Sequence, residues 1–227
     1  MGISFVGGGV MAEALIKGII NAGLSNPGEL TVSDPLEERR FYLESEYEIN
    51  TVESNSSIVD GDGIIILAVK PQILPYVLSD LRGKISNARS VASIVAGVTS
   101  ITIKNGLSHN SVVRVMPNTP AQVGKGVAVW TTTDSVDSEM LKFIKGVFQS
   151  CGIETQVNEE KYIDIATAIS GSGPAYVFMF IEALIDAGVN LGLESGLAKT
   201  LAIETVLGSA HLASNSTKHP SELKRMV

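Results

Sequence analysis

The residues of this chain best suited to chemistry are three consecutive glycines. In the stretch ISFVGGGVMAEALIKGII, Gly7, Gly8 and Gly9 interrupt an apolar run that starts at Ile3. Gly7, Gly9 and Ala12 fit the G-x-G-x-x-A spacing of a dinucleotide-binding turn. There the first glycine permits a tight turn and the second lets a pyrophosphate approach the main chain. The small third residue lets the next helix pack closely on the strand. Val10 and Met11 then open a helix whose first N–H groups lack intrahelical partners and attract an anion. A purely structural glycine turn is the alternative, but the strand-turn-helix context at the head of an alternating chain favours a dinucleotide.

The second strand ends at Ser33-Asp34, where a group contacting the adenosine ribose is expected. Asp34 would accept hydrogen bonds from a ribose 2′-OH and repel a 2′-phosphate, whereas Arg39 and Arg40 would attract that phosphate if Asp34 turned away. Asp34 could equally cap a helix starting at Pro35. The choice between NADP and NAD stays open on these residues. Lys70 follows a buried strand at its C-terminal end, where such sheets bind ligands, although a solvated lysine would look the same. The loop Met116-Pro117-Asn118-Thr119-Pro120 reads as rigid, with structural and contact roles both open. Ser170-Gly171-Ser172-Gly173-Pro174 reads as a helix start whose amides and hydroxyls suit a carboxylate, or as a simple cap. His109, His211 and His219 are scattered with no metal-ligand spacing, so no metal is expected. The one cysteine, Cys151, reads as a buried thiol.

These residues need elements to carry them. Up to about residue 156, short β-branched runs alternate with amphipathic segments, the pattern of βαβ units around a parallel sheet. The runs GISFV, ELTVS, GIIILAV, RSVASIV, SVVRVM and GVAVWT read as strands. Helices are expected over 11–22, 35–46, 54–60, 73–81, 99–106 and 136–151. GIIILAV and RSVASIV are almost wholly apolar, as central strands covered on both faces should be. From about Glu159 the strand pattern stops and helical spacing takes over. The expected fold is a Rossmann-like, doubly wound α/β sheet over 1–156, then an all-α part over 157–227. The helix from Gly173 onward is apolar around most of its circumference, so it must be buried in a bundle or between chains.

With 227 residues and 44% hydrophobic content, the chain can bury the cores of two modest domains. A net charge of -7 with no Lys/Arg cluster argues against a sequence-independent nucleic-acid binder. The apolar run PAYVFMFIEALIDAGVNLG is interrupted by Glu182 and Asp186 and is expected to fall short of the roughly 20 uninterrupted residues of a membrane span. No secretory signal pattern opens the chain, and a single cysteine suits a reducing compartment, so a cytoplasmic location is expected.

Five blocks, FVGGGVMAEALIKG, LAVKPQ, VMPNTPAQVGKG, SGSGPAYVFMFIEAL and HPSELKRMV, closely resemble the pyrroline-5-carboxylate reductases in that family's order. The resemblance implies an NADPH- or NADH-dependent reduction of a cyclic imine, the last step of proline synthesis. It also implies a helical part that builds an intertwined homodimer, or a higher oligomer of dimers. It assigns Gly7, Gly8, Gly9, Val10, Met11 and Ala12 to the phosphate turn and Asn55 to the adenosine part. Ala68, Val69, Lys70 and Pro71 fall along the ribose and pyrophosphate, and Ala96 and Gly97 follow the next strand in the same way. Met116 and Asn118 lie near the nicotinamide, and Glu160, Thr167 and Ser172 on the substrate side. In the family, the segment matching LKRMV leads into a Ser-Pro-Gly-Gly-Thr loop that contacts the substrate carboxylate and nitrogen. The sequence here stops at Val227, so catalytic residues stay unassigned, and a longer protein given in part is favoured over a shortened homologue. Reduction of another small imine or carbonyl, and a non-catalytic NAD(P)-binding sensor or scaffold, are the alternatives.

Overall fold

The computed structural model describes residues 1–59 and 62–227. They divide into two compact units, Met1–Ser172 and Gly173–Val227. In the first unit, β1 (Ile3–Val6), α1 (Val10–Asn21), β2 (Leu30–Ser33), α2 (Glu37–Tyr47) and β3 (Asn50–Val52) come first. They are followed by β4 (Ile64–Leu67), α3 (Leu74–Leu81), β5 (Ser90–Ser93), α4 (Ser100–Leu107) and β6 (Val112–Met116). Next are β7 (Gly126–Thr132), α5 (Ser138–Gln149), β8 (Gly152–Gln156) and α6 (Lys161–Ala166), and a π-helical segment over Thr167–Gly171 closes the unit. The strands form one sheet in the order β3-β2-β1-β4-β5-β6-β7-β8.

Helices cover both faces because the central strands are apolar on both. Along β1 and β4, Ile3, Phe5, Ile64 and Ile66 join one core, with Leu15 of α1, Leu43 of α2 and Phe148 of α5. Val6, Ile65 and Leu67 join the other, with Leu78 of α3 and Ile103 of α4. This is the period-two alternation of a strand, with both faces made apolar.

The structure corrects several expectations. All neighbouring strands run parallel except β6 and β7, which pair antiparallel with Met116 opposite Val129. Only residues 117–125 separate them, a span holding one 3₁₀ turn, and a parallel return needs a crossover of a dozen residues or more. The two edge strands β3 and β8 escape the sequence pattern because they are short and half polar. The helix expected over 54–60 is a 3₁₀ turn over Asn55–Ile58, and residue 60 lies outside the described residues. α2 begins two residues beyond Pro35 because Asp34 first closes a turn, its Oδ1 accepting the Leu36 N–H at 2.9 Å.

The second unit consists of α7 (Gly173–Asn190), α8 (Ser195–Asn215) and α9 (Pro220–Met226). α7 and α8 meet through small residues. A Cβ on Gly188 would lie 3.1 Å from the Ala198 Cβ, and Ala198 and Ala202 are buried. Much of the rest is apolar and exposed, including Phe178, Met179, Phe180, Leu201 and Leu207. By length and composition the run Lys161–Asn190 is apolar enough to cross a membrane, with a hydropathy of 1.4. Glu182 and Asp186 still interrupt it, so no uninterrupted apolar stretch reaches about 20 residues.

Phe5 is fully buried in β1 between two parallel neighbours. Phe5→Ala is expected to lower unfolding free energy by about 3–5 kcal/mol. Urea denaturation followed by circular dichroism checks this.

Candidate functional site

The three glycines each answer a different demand. Gly7 has φ +94°, and a Cβ there would stand 2.9 Å from the Ala68 carbonyl oxygen, so the turn passes directly beside the end of β4. A Cβ on Gly8 would meet Leu43 Cδ1 at 2.8 Å and Val32 Cγ1 at 3.1 Å, so this residue lets α2 and β2 close over the turn. Gly9 is the N-cap of α1 with extended backbone, and no protein atom lies within 4 Å of where its Cβ would be. Open space and helix N-terminal amides therefore coincide at Gly9. This is a cradle that a side chain would fill, and it fits a pyrophosphate. Ala12 is fully buried on the strand side of α1, and Val10 and Met11 form the helix's first turn.

β1 and β4 are adjacent although β2 and β3 intervene in sequence, so the strand order reverses between them, and ligands bind at such a switch point. A cleft of ≈ 470 Å³ opens there, lined by Gly7, Ser33, Asn55, Val69, Tyr76 and Asp80 among others. Asn55 is fixed from two sides. Its Oδ1 accepts from the Ser33 hydroxyl, and its Nδ2 donates to Asp80 at 3.3 Å. Ala68 continues the sheet, its N–H donating to Val6 O at 2.8 Å, while Lys70 and Pro71 are exposed just beyond Val69. Ala96 and Gly97 follow β5, just beyond which the Ile94 N–H donates to Leu67 O at 3.1 Å. Gly97 has φ +74°, with nothing within 4 Å of its Cβ position.

Asp34 sits against the glycine turn at the end of β2. It is nearly buried, and its Oδ2 accepts the Gly8 N–H at 2.9 Å while Oδ1 accepts that of Leu36. Arg39, which could have met a 2′-phosphate, donates through Nε to the Gly8 carbonyl and through Nη2 to Glu13. Arg40 donates to the Asp34 carbonyl at 2.8 Å. Glu13 also accepts the hydroxyls of Tyr42 and Tyr47, each at 2.9 Å. Burial pushes the Glu13 carboxyl up, but bonds from Arg39, Tyr47 and Tyr42 more than offset this and hold it below the usual carboxylate range.

The residues expected on the substrate side fall into two places. Met116 and Asn118 lie at the carboxyl end of β6, beside the π segment. Asn118 Nδ2 donates to Ser170 O at 3.0 Å, and its Oδ1 accepts the Val127 N–H at 2.8 Å. A Cβ on Gly171 would come within 2.6 Å of Met116 Cε. The π segment contradicts the reading of Ser170–Pro174 as a helix start with free amides. The Ser172 N–H donates to Thr167 O at 2.8 Å, and the Thr167 hydroxyl donates back to Ile163 O. Wide i→i+5 turns of this kind recur at functional sites. Ser172 itself is exposed.

Glu160 stands at the other end of this helical run. Its Oε1 accepts the Ser100 N–H at 2.6 Å, the Ser100 hydroxyl at 3.0 Å and Arg114 Nη1 at 3.0 Å. Arg114 Nη2 also donates to Asp164 Oδ1 at 2.6 Å. Some eleven residues of helix, roughly 16 Å, separate Glu160 from Gly171, and Glu160 meets β6 at Arg114, two residues before Met116. Arg114, only 2% exposed in the middle of β6, was not singled out by sequence reasoning. The available signal was a cation inside the apolar run SVVRVM, which demands an acidic partner. Cys151 is buried against α1, its thiol pushed up by burial. No group of three His, Cys, Asp or Glu able to hold a metal occurs among the described residues.

Residues 160–227 match the family model described as pyrroline-5-carboxylate reductase dimerisation. Residues 2–97 match that described as NADP oxidoreductase, coenzyme F420-dependent. A pyrroline-5-carboxylate reductase of Synechocystis is 39% identical over 99% of this chain and 84% of its own length. One of Corynebacterium melassecola is 41% identical over the same shares. A crystal structure of Plasmodium falciparum pyrroline carboxylate reductase with NADP bound superposes with a TM-score of 0.90. It is 37% identical, covering 100% of this chain and 84% of that one. An Aquifex aeolicus prephenate dehydrogenase, 17% identical with a TM-score of 0.62, shares the fold alone.

Glu160→Ala removes three bonds and the principal partner of a buried cation, whereas the Asp164 side chain is 63% exposed. Glu160→Ala is therefore expected to cost about 2–4 kcal/mol. Asp164→Ala should cost less than about 1 kcal/mol. Paired urea titrations check the order.

Proposed function

We propose that this chain, which belongs to the pyrroline-5-carboxylate reductase family, reduces 1-pyrroline-5-carboxylate to L-proline with NADPH, and with NADH as well, in the last step of proline synthesis. The observation that carries the reading is the open Gly9 cradle at the switch point of a sheet whose relatives, similar over almost the whole chain, are such reductases. When bound, the reduced nicotinamide supplies a hydride to the C=N carbon of the substrate. The chain's own task is to place two partners and to balance charge. The backbone around Gly7, Gly8 and Gly9, with the first turn of α1 at Val10, Met11 and Ala12, holds the pyrophosphate. Asp34 supports that turn from below. Asn55 orients the adenosine part, Ala68, Val69, Lys70 and Pro71 flank the ribose and pyrophosphate, and the small Ala96 and Gly97 leave room for a ring. Met116, Asn118, Thr167 and Ser172 form the substrate side. The exposed Ser172 supports a carboxylate contact, Asn118 fixes the wall, and Glu160 sets the helical run that carries Thr167 and Ser172. The nucleotide part occupies 1–156, where the strands end, and the substrate and dimerisation part 157–227.

A second copy of the chain covers the apolar second unit. Its exposed Phe178, Met179 and Phe180 support this, as does a family model whose description is dimerisation. Neither a membrane nor a nucleic acid is needed as partner, since the dimer would bury the apolar face and the sequence runs no Lys/Arg cluster to meet phosphates. We place the protein in the cytoplasm because its single cysteine, Cys151, suits a reducing compartment.

Loss of NADPH absorbance with the purified full-length protein only when 1-pyrroline-5-carboxylate is supplied tests the reaction. No substrate-dependent loss with either cofactor across pH would favour the sensor or scaffold. Gly9→Val should fold, because its Cβ meets nothing, yet abolish NADPH binding in a fluorescence titration. Light scattering at low micromolar concentration is expected to give a dimer or larger species, and a stable soluble monomer would refute the covered face.

A further inference from the structure

The phosphate turn is gripped by side chains of the β2–α2 segment, and the grip fixes the direction of its amides. Gly8 is held at both ends, its N–H by Asp34 Oδ2 at 2.9 Å and its carbonyl by Arg39 Nε. The peptide joining Gly8 to Gly9 is planar and trans, so its C=O and N–H point in opposite directions. With the Gly8 carbonyl drawn toward α2, the Gly9 N–H must face away from α2. The Gly9 Cβ position is itself open, and no partner for this N–H occurs among the described residues. Arg39 is itself braced. Its Nη2 lies on Glu13, the carboxylate of Glu13 takes both tyrosine hydroxyls, and its guanidinium carbon sits 5.0 Å from the Tyr42 ring centroid.

We propose that Arg39 and Asp34 are positioning residues that clamp the Gly8 peptide, so that the Gly9 amide is aimed at the dinucleotide's pyrophosphate before the cofactor arrives, with Glu13, Tyr42 and Tyr47 as the brace. This rests on the reading of the chain as a dinucleotide-dependent reductase and adds to it what sets cofactor affinity. Arginine is required at 39 because one planar fork must reach a carbonyl with Nε and a carboxylate with Nη2, a geometry the single ammonium of lysine does not provide. Its charge is balanced by Glu13 inside the protein, so it works by orienting a peptide rather than by attracting phosphate. A preformed donor array avoids the cost of ordering the turn on binding.

The clamp acts on the pyrophosphate, which both cofactors share. Arg39→Met and Arg39→Lys are expected to raise the Kd for NADPH and for NADH by the same factor, about tenfold, in fluorescence titrations. Binding of ADP-ribose, which carries the pyrophosphate without nicotinamide, should weaken equally by calorimetry. At saturating cofactor, kcat and the KM for 1-pyrroline-5-carboxylate should stay within about twofold. Glu13→Gln, which keeps the shape and removes the charge, should give a smaller loss in the same pattern, and it carries the test if the Arg39 variants do not fold. Loss for NADPH with NADH unaffected would overturn the clamp in favour of direct contact with a 2′-phosphate. Unchanged affinities in folded variants would also overturn it. Failure of the unaltered chain to bind either cofactor would overturn the dinucleotide reading itself.

Discussion

The placement of β1 between β2 and β4, carried one residue past the strand ends, is the constraint on which the rest of the site depends. The Gly7 N–H donates to Ser33 O and the Ala68 N–H to Val6 O, each at 2.8 Å. The chain must then turn away with almost no space, wedged against the Ala68 carbonyl on one side and Leu43 and Val32 on the other. Side chains are excluded at Gly7 and Gly8 by the protein itself. Only at Gly9 is the exclusion left for something else to use. The glycine run is thus a device for bringing three strands and a helix to one point while leaving a row of amides uncovered.

A buried cation plays the corresponding part at the other side of the sheet. Arg114 in the middle of β6 leaves water entirely, which is tolerable only because Glu160 and Asp164 meet it from α6 and its N-cap. Glu160 also accepts both donors of Ser100 at the start of α4. One carboxylate therefore fixes where the helical run begins. The π segment, with Asn118 on Ser170 O and Met116 beneath Gly171, fixes where it passes the end of β6. The run is pinned at two points along its length, and the residues between them, Thr167 included, take their height from those pins.

The second unit follows a different logic. Its helices meet through Gly188, Ala198 and Ala202, which allow close approach, while the large apolar side chains point elsewhere. A surface so composed is an interface in waiting, and a homodimer that uses the same patch twice is the simplest way to remove it from water.

The sequence by itself determined the alternation of strands and helices, the central place of GIIILAV and RSVASIV, and the glycine turn between β1 and α1. These are signals of local period and composition, and they survive because each is set within a few residues. The apolar circumference of α7 was equally legible. Tertiary structure alone decided the antiparallel turn of β7, the edge strands β3 and β8, and the π segment, since each depends on what lies across from it in space. It also decided the work of the charged residues. Asp34 reads equally as a ribose ligand, a phosphate repeller or a cap until its neighbours are known, and only the arrival of Gly8 between β2 and α2 gives its carboxylate an amide to hold. Arg39, Arg114 and Glu160 are of the same kind. A charge buried by folding takes the partner that folding brings, and partners separated by 26, 31 or 46 residues leave no periodic trace in the chain.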